Sequence, residues 1–181
     1  MLKSQPFLTD EDLKKILNAP INCHPSQRFI MNTIIQLLWD SGARISEVTN
    51  LKIEDFDPDQ KFLTFRNTKN HQDRIIPITD DITRRLLKLV GGRKNGYIFR
   101  GRNESPMSRL SAYLALKRRV KAAGINKNVR PHTFRHHWIT SKLDKGVPLP
   151  QVQKFVGHTS LSSTSLYYHF TQADLRKVLD A

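Results

Sequence analysis

The side chains able to do chemistry in this chain are arginines, histidines, a lysine and a tyrosine. Arg44 follows Gly42-Ala43 at a helix start. His132-Thr133-Phe134-Arg135 sets a histidine and an arginine three apart, on one face of a helix. Gly157-His158 closes another helix, and Tyr167 lies nine residues after His158 on the next. Lys69 sits in the turn between two strands. Each alone is ordinary, since a single arginine or histidine is most often a surface or satisfied core group. Taken together they suit one site that cleaves a phosphodiester. A phosphoryl transition state carries charge on its non-bridging oxygens, which guanidinium forks match with paired hydrogen bonds. Two arginines can thus take the place of metal ions. Histidines add donors, and a tyrosine hydroxyl attacks when positioned and electrostatically assisted. The leaving 5′-oxygen needs a proton, which a lysine can supply.

Other chemistries lack their residues. There is no GxxxxGK[ST] phosphate loop and no HExxH, and the acidic residues do not cluster as a two-metal nuclease requires. His132 and His136 are four apart, but no third ligand stands out, so no metal and no cofactor are expected. Cys23 is the only cysteine, which removes internal disulfides and suits a reducing cytoplasm.

The elements that must position these groups are mostly helical. Thr9-Asp10-Glu11-Asp12 resembles a capping box and opens a helix to Leu17. After a loop from Asn18 to Ser26, the spacing of Phe29, Ile30, Ile34, Leu37 and Leu38 predicts a buried helix to Asp40. Gly42 ends it and Ala43–Val48 restart a short helical turn. Three β-like segments follow, Leu51–Phe56, Phe62–Arg66 and Arg74–Ile78, which form a small antiparallel sheet. Further helices are expected over Asp80–Val90, Ser108–Ala123, Pro131 to just before Gly146, Pro148–Val156, Ser160–His169 and Thr171–Leu179. The predicted architecture is α+β, a mostly helical domain with a small three-stranded antiparallel sheet, filling residues 1–181 as one domain.

Charge points to the partner. Lys plus Arg total 30 against 16 Asp plus Glu, a net charge of +14. Such an excess draws polyanions by long-range field and counterion release, with nucleic acid first and an anionic membrane surface second. No apolar run approaches the length of a membrane span. The groups Arg84/Arg85/Lys88, Arg100/Arg102 and Lys117-Arg118-Arg119/Lys121 are candidates for phosphate contact, against a solvated helix face as the plain alternative.

These segments also resemble a known family, the tyrosine recombinases or phage integrases, in their Xer-like catalytic domain. Gly42-Ala43-Arg44-Ile45-Ser46-Glu47 resembles its G-x-R-x-x-E box. Thr68-Lys69-Asn70 followed by Arg74-Ile75-Ile76-Pro77-Ile78 resembles its hairpin lysine and following strand. Arg130-Pro131-His132-Thr133-Phe134-Arg135-His136, Val152 to His158 and Ser162 to Tyr167 resemble its P-H-x-L-R-H, V-Q-x-x-L-G-H and S-T-T-x-x-Y boxes, in the same order and spacing.

The resemblance implies a residue-by-residue assignment. Tyr167 attacks the scissile phosphate to form a 3′-phosphotyrosyl link, while Arg44 and Arg135 hold the non-bridging oxygens. Lys69 protonates the departing 5′-hydroxyl, His132 supports proton transfer at the tyrosine, and His158 hydrogen-bonds the phosphate. Glu47, one turn after Arg44, orients the site. Neither metal nor ATP is needed, the partner is double-stranded DNA, and the protein assembles as a homo-oligomer on DNA; the free chain is expected to be monomeric because its +14 charges repel. Tyr168 stands where the family often has threonine; adjacent helical residues point about 100° apart, and spacing favours Tyr167. His136 and His137 are expected to be structural and Trp138 core. Family members usually carry a helical N-terminal DNA-binding domain, and this chain starts where the catalytic domain starts. The last helix, with Leu175, Val178 and Leu179 as its apolar stripe, is expected to dock either on a neighbouring protomer or on its own domain. Competing readings are a type IB topoisomerase, which shares the chemistry, and a non-catalytic DNA-binding regulator.

Overall fold

The computed structural model describes residues 7–66, 73–157, 176, 179 and 180. The predicted helices Ser160–His169 and Thr171–Leu179 fall largely outside these residues, as does the turn carrying Lys69.

Helix α1 (Asp10–Leu17) starts at the expected capping box: Thr9 Oγ1 accepts from the Asp12 amide at 3.2 Å and Asp12 Oδ2 from the Thr9 amide at 3.0 Å. Helix α2 (Pro25–Ser41) opens on Pro25, whose fixed φ and missing N–H suit a first helical position. Its residues Ile34, Ile35, Leu37 and Leu38 are fully buried. At about 1.5–3 kcal/mol for each buried aliphatic side chain, this helix is the core around which the rest packs. It meets α4 (Asp80–Val90), α5 (Arg109–Ala122) and α6 (Pro131–Asp144).

Gly42 ends α2 in the left-handed conformation at φ +58, where a Cβ would come within 3.2 Å of the Trp138 side chain. The chain then turns at once into α3 (Ile45–Thr49), with Arg44 at its N-cap. Trp138 itself is core, as expected. It stacks on Phe155 at 4.6 Å and donates its indole N–H to the Asp40 carbonyl at 2.7 Å.

Among the described residues there is one sheet, with strands β1 (Phe56–Asp57), β2 (Phe62–Phe65) and β3 (Arg74–Pro77) antiparallel in sequence order. Phe56 pairs with Leu63, Leu63 with Ile76, and Phe65 with Arg74. The first strand is much shorter than the predicted Leu51–Phe56. Residues Ile53–Asp55 form a 3-10 turn instead. The buried Asp55 carboxylate accepts from the Lys52 amide at 3.0 Å and pairs with Arg66 at 2.5 Å, a local cap that overrides the strand-like composition. Leu51 and Ile53 bond outward to the loop before Phe99 instead: the Ile98 amide donates to Leu51 O at 2.8 Å and the Ile53 amide to Gly96 O at 2.9 Å. The apolar stretch Tyr97-Ile98-Phe99 is therefore an anchor, with Ile98 and Phe99 buried.

Helix α7 (Leu149–Val156) buries Val152, Phe155 and Val156 and ends at Gly157, again left-handed at φ +67. Its C-terminus points into the group of residues described next.

Candidate active site

Helix ends leave their last carbonyls without intrahelical partners. At the end of α7 these carbonyls are met by three arginines from three other elements. Arg74 of β3 donates from Nε to Phe155 O at 3.0 Å, and Arg135 of α6 from Nη2 to Val156 O at 2.5 Å. Arg44, at the start of α3, reaches Gly157 O at 3.5 Å. Cations at a helix C-terminus also face the negative end of its dipole. The cluster is one residue upstream of His158.

Arg135 is 5% exposed and bridges two helix ends, since its Nη1 donates to Gly42 O at 2.9 Å. Burial, then the nearby charges of Arg44 and Arg74, push its guanidinium down to about 10, which still leaves it cationic at neutral pH. With one N–H on each carbonyl, its five-donor fork retains capacity for another acceptor. Arg44 is the accessible member, with 38% of its side chain exposed.

Glu47 is the one carboxylate bonded to this cluster among the described residues, and both its oxygens are doubly engaged. Oε1 accepts from Arg44 Nη1 at 2.9 Å and Arg74 Nη1 at 2.6 Å; Oε2 accepts from the Arg44 amide at 2.6 Å and Arg74 Nη2 at 2.7 Å. Burial works to raise the Glu47 carboxyl, but the hydrogen bonds and charge of Arg74, followed by those of Arg44, outweigh it and hold the group below the usual carboxylate range. Three guanidiniums against one carboxylate leave a net positive pocket, the electrostatics a phosphate requires.

Of the residues singled out in the sequence, Arg44, Arg135 and Glu47 come together here. His132 lies at the N-terminal turn of α6, three residues before Arg135, with an exposed side chain. Lys69, His158, Tyr167 and Tyr168 lie outside the described residues. Arg74 was named in the sequence only as part of a strand. The signal that singles it out is an arginine opening an otherwise apolar strand, Arg74-Ile75-Ile76-Pro77, where a half-buried cation needs an anionic partner.

Two other sequence readings change. Arg119 is 2% exposed inside α5, so it is not a surface phosphate contact, while Lys117, Arg118 and Lys121 are exposed. Arg85 and Arg84 pair with Asp81 at 2.5 and 3.6 Å, and Arg100 pairs with Glu104 at 2.8 Å. His137 is structural as expected, stacked on Trp39 at 4.0 Å. No cluster of three or more potential metal-ligating side chains occurs among the described residues. No described helix is long and apolar enough to cross a membrane.

A mostly helical domain with a small antiparallel sheet, and paired arginines gathered at a helix end, define a class that comparison with known proteins identifies. Residues 6–174 match the phage integrase family, and the chain belongs to that family. The tyrosine recombinase XerA of Pyrococcus horikoshii is 33% identical over 184 residues, covering 98% of this chain and 62% of the relative. The chain thus spans about three fifths of the length of the curated relatives it matches. Among solved structures, that of XerA recombinase superposes with a TM-score of 0.72 at 28% identity, covering 98% of this chain and 65% of the other. XerH site-specific recombinase, solved bound to its difH substrate in a pre-cleavage complex, superposes with a TM-score of 0.73 at 25% identity, covering 92% of this chain and 51% of the other.

Proposed function

We propose that the protein is a DNA strand transferase that cuts and rejoins double-stranded DNA at specific sites through Tyr167, by way of a 3′-phosphotyrosyl intermediate. The observation that carries this reading is the meeting of Arg44 and Arg135 with Glu47 at the end of α7, immediately before His158. In it, Arg44 and Arg135 bind the non-bridging oxygens of the scissile phosphate and Glu47 orients Arg44. Tyr167 attacks phosphorus, the 5′-oxygen leaves with a proton from Lys69, His132 serves proton transfer at the tyrosine, and His158 donates to the phosphate. Rejoining reverses these steps with a new 5′-hydroxyl, so the energy of the broken bond is kept in the phosphotyrosine and ATP has no part. The relatives named above, one of them solved on DNA, support the same reading. The protein acts in the cytoplasm, monomeric when free and assembled as a homo-oligomer on DNA, with +14 charges opposing association until phosphate neutralises them.

The test uses nicked suicide duplexes with a randomised central stretch, in which the cleaved fragment diffuses away and rejoining is blocked. A protein–DNA adduct that survives denaturant is the expected result, and sequencing the trapped duplexes identifies the target site. Relaxation of supercoiled plasmid with no trapped sequence preference would instead favour a topoisomerase. DNA binding with no adduct would favour a regulator.

A further inference from the structure

We propose that Arg74 is a positioning residue for strand transfer: by pairing with both oxygens of Glu47 it frees the Arg44 guanidinium for the phosphate. The assignment rests on the strand-transfer reading above and adds to it a residue that does not itself meet DNA.

The geometry commits three of the five Arg74 N–H donors to the protein, two of them to Glu47. Its Nη1 and Nη2 bond Glu47, its Nε bonds Phe155 O, its side chain is 12% exposed, and its guanidinium lies over the Phe65 ring at 4.7 Å. Planar guanidinium and planar carboxylate meet as a fork on a fork, which a lysine cannot reproduce. The bonds to Glu47 from Arg74, at 2.6 and 2.7 Å, are shorter than the 2.9 Å bond from the Arg44 side chain. Glu47 is thus paired chiefly with Arg74.

The consequence concerns the Arg44 charge. Were Arg74 absent, Glu47 would face Arg44 as its nearest cation, in a site where the carboxylate is only 13% exposed. A buried carboxylate draws its remaining partner tightly. Arg44 would then be held as half of a neutral pair, and an incoming phosphate would have to compete with Glu47 for it. Arg74 supplies the balancing charge, while Glu47 still fixes the Arg44 backbone through its amide. It also ties β3 to the Phe155 carbonyl near the end of α7. Gly157 keeps that approach open, since a Cβ there would lie 3.2 Å from the Arg74 side chain.

The experiment compares Arg74→Met, Arg74→Lys and the double variant Arg74→Met/Glu47→Gln. The rate of adduct formation is measured at saturating duplex of the trapped sequence, with duplex affinity measured separately. In parallel the Arg44 side-chain Nε–H resonance is followed during titration with inorganic phosphate, a readout that needs no cleavage. Arg74→Met is expected to slow adduct formation roughly ten- to hundredfold, less than loss of a direct phosphate donor. Affinity should change by less than about threefold, because other cations carry it. Arg74→Lys should fall between. Removing the unmatched carboxylate in the double variant should recover several-fold in rate, and should restore the phosphate response of Arg44 that Arg74→Met abolishes. A merely structural role predicts the opposite, with the double variant at or below the single one and the Arg44 response unaltered, and that result overturns the assignment. Should Arg74→Met fail to fold by circular dichroism, Arg74→Lys with and without Glu47→Gln makes the same comparison. An Arg44 response that follows the expected pattern in a protein forming no adduct would sink the strand-transfer reading and leave the Arg74–Glu47 pairing standing.

Discussion

At the scale of single residues, the two arginines proposed to hold the phosphate differ in how much else they do. Arg44 is partly exposed, whereas Arg135 is buried and satisfies the carbonyls of Gly42 and Val156. Arg44→Ala and Arg135→Ala should each remove about 2–4 kcal/mol of transition-state stabilisation, measured as the rate of adduct formation. Only Arg135→Ala should also lower the melting temperature substantially, because each buried carbonyl left without a donor costs about 1–3 kcal/mol. Equal thermal losses for both variants would contradict the placement of Arg135. For the nucleophile, Tyr167→Phe should abolish the adduct and Tyr168→Phe should leave it measurable. An adduct that persists in Tyr167→Phe means the neighbouring tyrosine is the nucleophile. If Lys69 is the acid, Lys69→Ala should be slow on ordinary DNA and recover on a duplex with sulfur at the bridging 5′ position, whose leaving group needs no proton. Equal defects on both substrates would assign Lys69 to phosphate binding.

At the scale of elements, α2 sets the position of Arg44 and carries an unusual acid close to its end. Asp40 is half-buried, and desolvation pushes its carboxyl from 3.8 up to about 6 in spite of the hydrogen bond from Gln36. The folded state therefore binds a proton more tightly than the unfolded chain does between these two values. Stability falls as pH rises through that window, and the ionised carboxyl is a liability above it. At about 1.4 kcal/mol for each tenfold change in proton affinity, the penalty approaches 3 kcal/mol. Asp40→Asn should thus stabilise the protein by about 1–3 kcal/mol at pH 8 and have little effect at pH 4, read from urea unfolding at both values. A stabilisation equal at both pH values would place its origin elsewhere. Gly42, two residues further on, is held at φ +58 against Trp138, so Gly42→Ala should destabilise by about 1 kcal/mol or more and displace Arg44.

At the scale of the whole molecule, charge dominates. With a net charge of +14, duplex binding should weaken linearly on a log–log plot against salt, with a slope that counts neutralised phosphates. Near the C-terminus, Arg176 and Leu179 touch the rest of the domain. Lys142, buried beside Trp138, donates to Leu179 O at 2.9 Å, and Arg176 donates to Gln60 O and lies over the Phe62 ring at 4.8 Å. These contacts fit docking in cis for the free protein. On DNA carrying two inverted sites, the proposed assembly passes this segment to the neighbouring protomer. Deleting residues after Phe170 should then leave single-site binding intact and reduce cooperative binding, measured by gel shift. Unchanged cooperativity together with a lower melting temperature would mean that the segment serves its own domain alone.

What the sequence determined by itself is whatever a few neighbouring residues decide. Helix starts such as Thr9 and Pro131, stops such as Gly42 and Gly157, and the apolar spacing of α2 are legible because caps and periodicity act within one turn. Of the residues suited to phosphate chemistry, Arg44, Glu47 and Arg135 stood out in the sequence, and the structure gathers them at the end of α7. The tertiary structure alone decided what depends on distant partners. It turned the strand-like Ile53–Asp55 into a 3-10 turn held by Arg66, and it put Arg119 inside while its neighbours stayed outside. It also brought Arg74 to Glu47 across 27 residues, and Arg44 to Gly157 across 113. Such pairings depend on where helix ends and strand edges meet in space. A buried cation has to find its anion or carbonyl there, because leaving it unpaired away from water costs more than the fold can spare.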